Sequence, residues 1–134
     1  MISGHATFEG TREFSKNSGI NLENFKEFQN LFLSNVGIGT YLGDPDAKTD
    51  ELVKNAVKQS IQSGINVVDT AINYRSQKAE RSVGKAIAEL VKEGKINRNQ
   101  IFISSKNGYV TNDADVQLGF WEYVKEEYSQ KGVI

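Results

Sequence analysis

Three residues that can take part in proton transfer stand at or just beyond the ends of predicted strands. Asp69 follows the β-rich run at residues 65–68, Lys106 follows the run at 101–103, and Tyr74 lies five residues past Asp69. In parallel α/β folds, sites are built at the carboxyl ends of the strands. We therefore expect Asp69 and Lys106 to form an ion pair that Tyr74 reaches from the following loop.

A tyrosine beside an ammonium group can act as a proton donor. The pKa of free tyrosine is ~10, too high for ready donation at neutral pH, and an adjacent ammonium lowers it by stabilising the phenolate. The carboxylate of Asp69 would hold Lys106 in place and keep it charged. Taken alone, a charged residue at a strand end is more often a helix cap or a solvated end, but the convergence of three such groups favours general-acid chemistry.

The elements that must position these residues alternate between two periodicities. Short β-rich runs predict strands, and apolar residues spaced by three and four predict amphipathic helices. The predicted strands cover 36–40, 65–68 and 101–103, and the predicted helices run from 49 to the glycine at 64, from 79 to 93 and from 120 to 130. Each crossover is long enough to be right-handed, so the order predicts an α/β fold with a parallel sheet. In the last helix, Trp121, Val124 and Tyr128 share one side.

Residues 1–30 are polar and only weakly periodic. Within them, residues 7–12 could at best form a small hairpin around Glu9-Gly10. We therefore treat residues 1–30 as an N-terminal extension of the α/β unit.

Composition excludes several classes of protein. The 134 residues include 16 Lys plus Arg and 17 Asp plus Glu, so there is no charge surplus to attract nucleic acid or an anionic membrane. The absence of cysteine and the single histidine exclude thiolate and histidine-rich metal sites, and we expect no metal. Asp44, Asp46 and Asp50 lack the spacing of a calcium loop. No signal peptide or apolar run of ~20 residues is present, so we expect a cytoplasmic protein.

The glycine segment at 37–43 nearly spells the dinucleotide-binding pattern G-x-G-x-x-G. Its third glycine comes one position late, Pro45 and a polar turn precede the helix, and Asp69 lies well beyond the ~20 residues at which the acidic partner belongs. An open-sheet dinucleotide-binding domain is therefore an alternative, but it gives Tyr74 and Lys106 no role.

Several segments resemble the aldo-keto reductases. Residues 69–74, Asp-Thr-Ala-Ile-Asn-Tyr, fit the family's D-T-A-x-x-Y motif, and residues 37–41 resemble the G-x-G-T segment of its first strand. Residues 80–87 are similar to the next helix, and residues 103–106 match the strand that presents the family's lysine. The resemblance runs from about residue 33 to 109. It is closest to a subgroup with an extended N-terminus and a long insertion after the third strand.

The resemblance implies an NADPH-dependent reductase, with NADH as the second option, on a (β/α)8 TIM barrel. Hydride would pass from the nicotinamide to an aldehyde or ketone while Tyr74 donates a proton to the carbonyl oxygen. Lys106, paired to Asp69, would stabilise the phenolate. The cofactor-binding residues that the resemblance implies are Gly39, Thr40, Tyr41 and Asp69.

The family's fourth catalytic residue, a histidine after the fourth strand, has no counterpart in residues 1–134. A complete barrel needs on the order of 250 residues, so we expect only the first three βα units, in residues 31–134 of a single partial domain. The chain alone would be inactive, and the rest of the barrel or a homo-oligomer partner would cover its strand edges. The alternative is a non-catalytic half-barrel that serves as a binding or assembly module.

Overall fold

The computed structural model describes residues 2–132. The helices are α1 (Phe8–Asn17), α2 (Ala47–Gln62), α3 (Lys78–Lys92) and α4 (Phe120–Val124), and a π-helical turn, Lys125–Ser129, extends α4. The strands are β1 (Phe25–Phe28), β2 (Leu31–Ser34), β3 (Ile38–Gly39), β4 (Val67–Asp69) and β5 (Phe102–Ser104). Single 3₁₀ turns cover Leu22–Asn24 and Arg98–Gln100.

A parallel sheet in the order β3-β4-β5 forms the centre of the structure. Gly39 lies opposite Asp69, and Asp69 lies opposite Ser104, so the three strands end at one level. The strand and helix order predicted from residue 36 to 104 is confirmed. Within residues 2–132 this sheet has three strands and no closed barrel is formed.

Two amphipathic helices cover one face of this sheet. Asp46 caps α2 by accepting a 2.7 Å hydrogen bond from the backbone nitrogen of Thr49, and Gly64, with φ of +96°, follows its end. The largest fully buried apolar side chains come from α2, α3, β4 and the residue just before β5: Val57, Ile61, Val68, Leu90 and Ile101. Burying each of these contributes about 1.5–3 kcal/mol, so their packing holds the two helices against the sheet.

The hairpin predicted around Glu9-Gly10 is wrong, because this segment is the first part of α1. Thr7 caps the helix by accepting a 3.0 Å hydrogen bond from the backbone nitrogen of Gly10. Gly10 is a packing glycine and not a turn glycine, since it lies against the backbone of Asn99. The N-terminal segment is therefore a docked helix.

The hairpin lies further along the chain, where β1 and β2 pair antiparallel. Gln29 and Asn30 form its two-residue turn with φ of +47° and +58°, the left-handed values that such turns require. Asn66, fully buried, ties the hairpin to the sheet: its side chain accepts from the backbone nitrogen of Ser34 at 2.8 Å and donates to the carbonyl of Phe32 at 3.0 Å.

The helix predicted at residues 120–130 is present as α4 and the π-helical turn that continues it, but one of its apolar residues lies in solvent. Val124 is buried, whereas Trp121, expected on the same side, is 79% exposed. The hydroxyl of Tyr128 donates to the carbonyl of Thr111 at 3.0 Å, which ties the helix to the loop after β5. None of the helices in the described part of the chain combines the length and apolar character needed to cross a membrane.

Candidate functional site

Lys106 and Asp69 form an ion pair at the carboxyl ends of β4 and β5. The Lys106 Nζ lies 2.7 Å from each carboxylate oxygen of Asp69 and donates to the carbonyl of Thr70 at 2.9 Å. The hydrogen bonds to Asp69 raise the pKa of Lys106 above its ordinary value. Both side chains are nearly half exposed, so the pair is open to a molecule approaching from solvent.

Tyr74 lies beside this ion pair. The Lys106 Nζ is positioned over the Tyr74 ring, 4.9 Å from its centroid. Tyr74 is held through its backbone, which donates to the carbonyl of Ala71 at 3.1 Å and accepts from the nitrogen of Ala79 at 3.3 Å. The structure therefore brings together the acid, the lysine and the tyrosine that the sequence places at separate positions. The ammonium group of Lys106 and the phenol of Tyr74 are therefore close enough to contact the same bound molecule.

The end of β3 contributes an aromatic wall and an open backbone. Tyr41 is 63% exposed and packs edge-on against Tyr74, with 5.0 Å between ring centroids. A Cβ added at Gly39 would meet nothing within 4 Å, so this strand end leaves free space beside Asp69. Thr40 differs from both, because it is buried and its hydroxyl donates to the carbonyl of Asp69 at 3.0 Å.

These groups fit the nicotinamide end of a dinucleotide. The open space at Gly39 and the exposed Tyr41 ring suit a flat heterocycle, and a carboxylate such as that of Asp69 can accept hydrogen bonds from ribose hydroxyls. The hydroxyl of Thr40 is already committed to the backbone of β4, so Thr40 would shape the site rather than bind through its oxygen.

Three consecutive residues after Tyr74 adopt a left-handed backbone. Arg75, Ser76 and Gln77 have φ of +49°, +51° and +75°, and none is glycine. Non-glycine residues in this region cost roughly 1–3 kcal/mol each and persist only where surrounding contacts enforce them. The segment that carries Tyr74 into α3 is therefore strained and requires stabilising contacts.

Arg75 provides one of those contacts and is absent from the residues that the sequence analysis selected. Its guanidinium donates to Asp50 Oδ1 and to the Ser82 hydroxyl, each at 3.0 Å, and the side chain is 1% exposed. Asp50 lies 25 residues upstream on α2, and no local spacing reveals such a pair. Asp46 is thus a helix cap, and Asp50 is the partner of the buried Arg75. Residues 2–132 contain no group of three or more His, Cys, Asp or Glu side chains arranged to hold a metal.

The long loop after β5 is joined to α3 by further ion pairs. Arg81 donates to Asp113 at 2.7 Å and to Asp115 at 2.6 Å, and Lys78 lies 2.8 Å from Asp115 and 3.1 Å from Asp50. The hydrogen bonds from Arg81 lower the pKa of Asp113 below its ordinary value. These contacts link the segment after Tyr74 to the loop that follows Lys106.

Gly43, the last glycine of the segment at residues 37–43, has a packing explanation. Gly43 has φ of +103°, and a Cβ there would lie 2.5 Å from the Thr49 methyl group, so glycine lets the chain turn tightly into α2. The α2 helix begins at Ala47, after the intervening turn, rather than directly from the glycines. The position of Gly43 is therefore explained without a bound phosphate.

Residues 35–130 match the model of the aldo/keto reductase family, and the chain belongs to this family. It is 30% identical over 93 residues to aldose reductase C of Dictyostelium discoideum, covering 69% of this chain and 27% of that protein. It is 41% identical over 71 residues, 53% of this chain, both to aldose reductase B of the same organism and to aldo-keto reductase family 1 member D1 of Rattus norvegicus. These matches cover 21% and 20% of the two relatives, so the chain spans about a quarter of the length of the proteins it resembles.

Proposed function

We propose that the protein containing this chain is an oxidoreductase that reduces an aldehyde or ketone to an alcohol with NADPH, or with NADH as the second option. The observation that carries the proposal is the position of Lys106 Nζ, between the carboxylate of Asp69 and the ring of Tyr74 at the carboxyl ends of parallel strands. Membership of the aldo/keto reductase family supports the same reaction class.

Tyr74 is the proton donor of the proposed reaction. Its hydroxyl gives a proton to the carbonyl oxygen of the substrate as that oxygen gains negative charge. Lys106 stabilises the phenolate that remains, and Asp69 keeps the Lys106 ammonium charged and in place. The reduced nicotinamide, when bound, supplies the hydride that reaches the carbonyl carbon.

The chain holds only the nicotinamide end of the cofactor in this proposal. Gly39 and Tyr41 border the ring, Thr40 buttresses the strand end, and Asp69 accepts from the ribose. The histidine that the family places after its fourth strand would come from another part of the protein. The chain alone is therefore proposed to be inactive.

We also propose that β3, β4 and β5 are the first three strands of a (β/α)8 barrel. The outer edges of β3 and β5 have no strand partner among the described residues, and an apolar groove runs along α3 beside β5. Val83, Ile87 and Ile103 line this groove. Unpaired edges and apolar grooves require cover, which the remainder of a barrel or a homo-oligomer partner would supply.

A Tyr74→Phe variant of the protein containing this chain tests the reaction. Lys106, which interacts with the Tyr74 side chain, keeps its bonds to Asp69 and to the carbonyl of Thr70 in this variant, so the fold should be unchanged. Loss of a general acid lowers the turnover number by about 10²–10⁴-fold. Cofactor affinity, measured by fluorescence titration with NADPH, should remain within about twofold of the original value because a general acid acts on the carbonyl rather than on the cofactor. Tyr109→Phe, at an exposed tyrosine three residues past Lys106, is the matched control.

An equal loss of turnover and cofactor affinity in Tyr74→Phe would contradict the assigned role, as would unchanged turnover. The second candidate function is a non-catalytic half-barrel that binds another copy of itself through its open strand edges. A stable dimer that shows no thermal shift on addition of NADPH would favour that function.

A further inference from the structure

The strained segment 75–77 sits between the proposed proton donor and α3. Tyr74 precedes three consecutive left-handed residues, and α3 begins directly after them at Lys78. Gln77, at the N-terminal boundary of α3, provides no side-chain cap for the helix. The local backbone hydrogen bonds of the segment are long: the nitrogen of Ser76 donates to the carbonyl of Asn73 at 3.4 Å, and that of Lys78 to the carbonyl of Arg75 at 3.2 Å. Contacts from other elements therefore add to what holds its conformation.

The first set of contacts comes from beneath the segment. Arg75 is buried between α2 and α3, where Nη1 donates to Asp50 Oδ1 and Nη2 donates to the Ser82 hydroxyl. Nη1 also approaches the carbonyl of Asp44 at 3.4 Å. A planar guanidinium can direct two donors to two separate acceptors at fixed angles, and a lysine ammonium cannot reproduce this geometry.

The second set comes from the loop after β5. The Gln77 amide donates to the carbonyl of Asn112 at 3.2 Å and to the Tyr123 hydroxyl at 3.1 Å. The carbonyl of Ser76 accepts from the backbone nitrogen of Ala114 at 3.1 Å. The strained segment thus has contacts to two other parts of the structure, and within residues 2–132 its most deeply buried anchor is the side chain of Arg75, which is 1% exposed.

We propose that Arg75, held by Asp50 and Ser82, is a positioning residue that sets the place of the Tyr74 ring over Lys106. The Tyr74 side chain interacts with Lys106, whose pKa it helps to raise, and packs against Tyr41, so its backbone sets the direction from which the ring approaches both. In this proposal, the anchored guanidinium of Arg75 keeps the backbone of that residue left-handed. The proposal rests on the proposed function, because Tyr74 matters there as the proton donor.

Arg75→Lys tests this role in the protein that contains the chain. A displacement of about 1 Å in a reacting group can lower turnover by about 10²-fold, so the turnover number should fall by about 10–100-fold. The Michaelis constant for the carbonyl and the affinity for NADPH should stay within about twofold. Arg98→Lys, at a half-buried arginine that donates to the carbonyl of Ile101 far from Tyr74 in sequence, is the matched control and should leave turnover unchanged.

The same substitution in a Tyr74→Phe background separates positioning from general loss of structure. If Arg75 acts through the Tyr74 hydroxyl, Arg75→Lys should produce no further loss of turnover there. Multiplicative losses in the double variant would overturn the proposal. An active Tyr74→Phe variant would instead refute the role of Tyr74 in the reaction, so the two failures are distinguishable.

Nuclear magnetic resonance of the chain tests directly where the Tyr74 ring lies relative to Lys106. The Lys106 side chain lies over the Tyr74 ring, so the ring current should shift its ε-proton resonances upfield. Arg75→Lys should move these resonances toward the values of an exposed lysine, and Arg98→Lys should not. Ser82→Ala removes one hydrogen bond from the Arg75 guanidinium and should shift the Lys106 resonances in the same direction by a smaller amount. This variant replaces Arg75→Lys in the test if Arg75→Lys does not fold. Unchanged Lys106 resonances in both variants would overturn the proposal.

Discussion

Two glycines in helices, Gly10 in α1 and Gly84 in α3, allow a sharp test of how the N-terminal helix is docked. A Cβ built at Gly10 would lie 2.4 Å from the carbonyl oxygen and 2.7 Å from the carbonyl carbon of Asn99. A Cβ built at Gly84 would meet nothing within 4 Å. Replacing each with alanine makes the same chemical change in two opposite environments.

The two effects that compete at these positions can be compared in magnitude. Alanine in place of glycine in a helix interior stabilises by about 0.8–1.0 kcal/mol, and this gain alone should appear at Gly84. At Gly10 the contact is with backbone that cannot rotate away, so α1 must move by nearly 1 Å. Overpacking of this kind costs about 1–3 kcal/mol, and we take the upper end because two backbone atoms are involved. Gly10→Ala should therefore destabilise the fold by about 2 kcal/mol.

Urea denaturation of the chain, followed by far-ultraviolet circular dichroism, gives the free energy of unfolding of each variant. The two alanine variants should differ by about 3 kcal/mol, with opposite signs relative to the parent chain. A Gly10→Ala chain as stable as the parent would refute the argument that close approach to Asn99 fixes α1. Destabilisation by Gly84→Ala would show that the exposed face of α3 is covered in solution.

Two other perturbations follow from the charges around the site. Hydrogen bonds from Arg81 lower the pKa of Asp113, and those from Lys78 lower the pKa of Asp115. The stability that these two carboxylates contribute is therefore fully present above the ordinary aspartate pKa of ~3.9. It is lost as the pH falls through the lower pKa values of the folded state. Amide hydrogen exchange at residues 111–118 should therefore accelerate, relative to α2, below about pH 4. Asp69→Asn should lower the pKa of Lys106 toward its ordinary value and reduce turnover by about tenfold or more, while Asp46→Asn, at the helix cap, should leave turnover unchanged.

The parallel sheet and its two helices could be predicted from sequence because their determinants are local. The apolar stripes of α2 and α3 repeat every three or four residues, and Gly64 and Gly94 follow the ends of the helices with positive φ. The N-terminal segment could not be predicted in this way. Its helix packs with Gly10 against the backbone of Asn99, which is remote in sequence, whereas a glycine in a polar segment by itself favours a turn.

The same distinction applies to the candidate site. Asp69 and Lys106 could be placed together because both follow parallel strands that end at one level. The contact of Arg75 with Asp50 could not, because it joins a loop to a helix surface 25 residues away and leaves no periodic trace. Propensity and periodicity describe one element at a time, whereas this contact depends on how two elements pack.

The anchoring of residues 75–77 has a consequence for the exchange of loops between proteins of this family. Loops at the carboxyl ends of strands are usually treated as transplantable, with the outer helices regarded as an inert frame. Here the loop after β4 is fastened to Asp50 on the preceding helix and to Ser82 on the following one. A graft that carried only residues 69–77 would leave a buried guanidinium without its carboxylate. The smallest transferable unit at this site therefore includes one turn of each flanking helix.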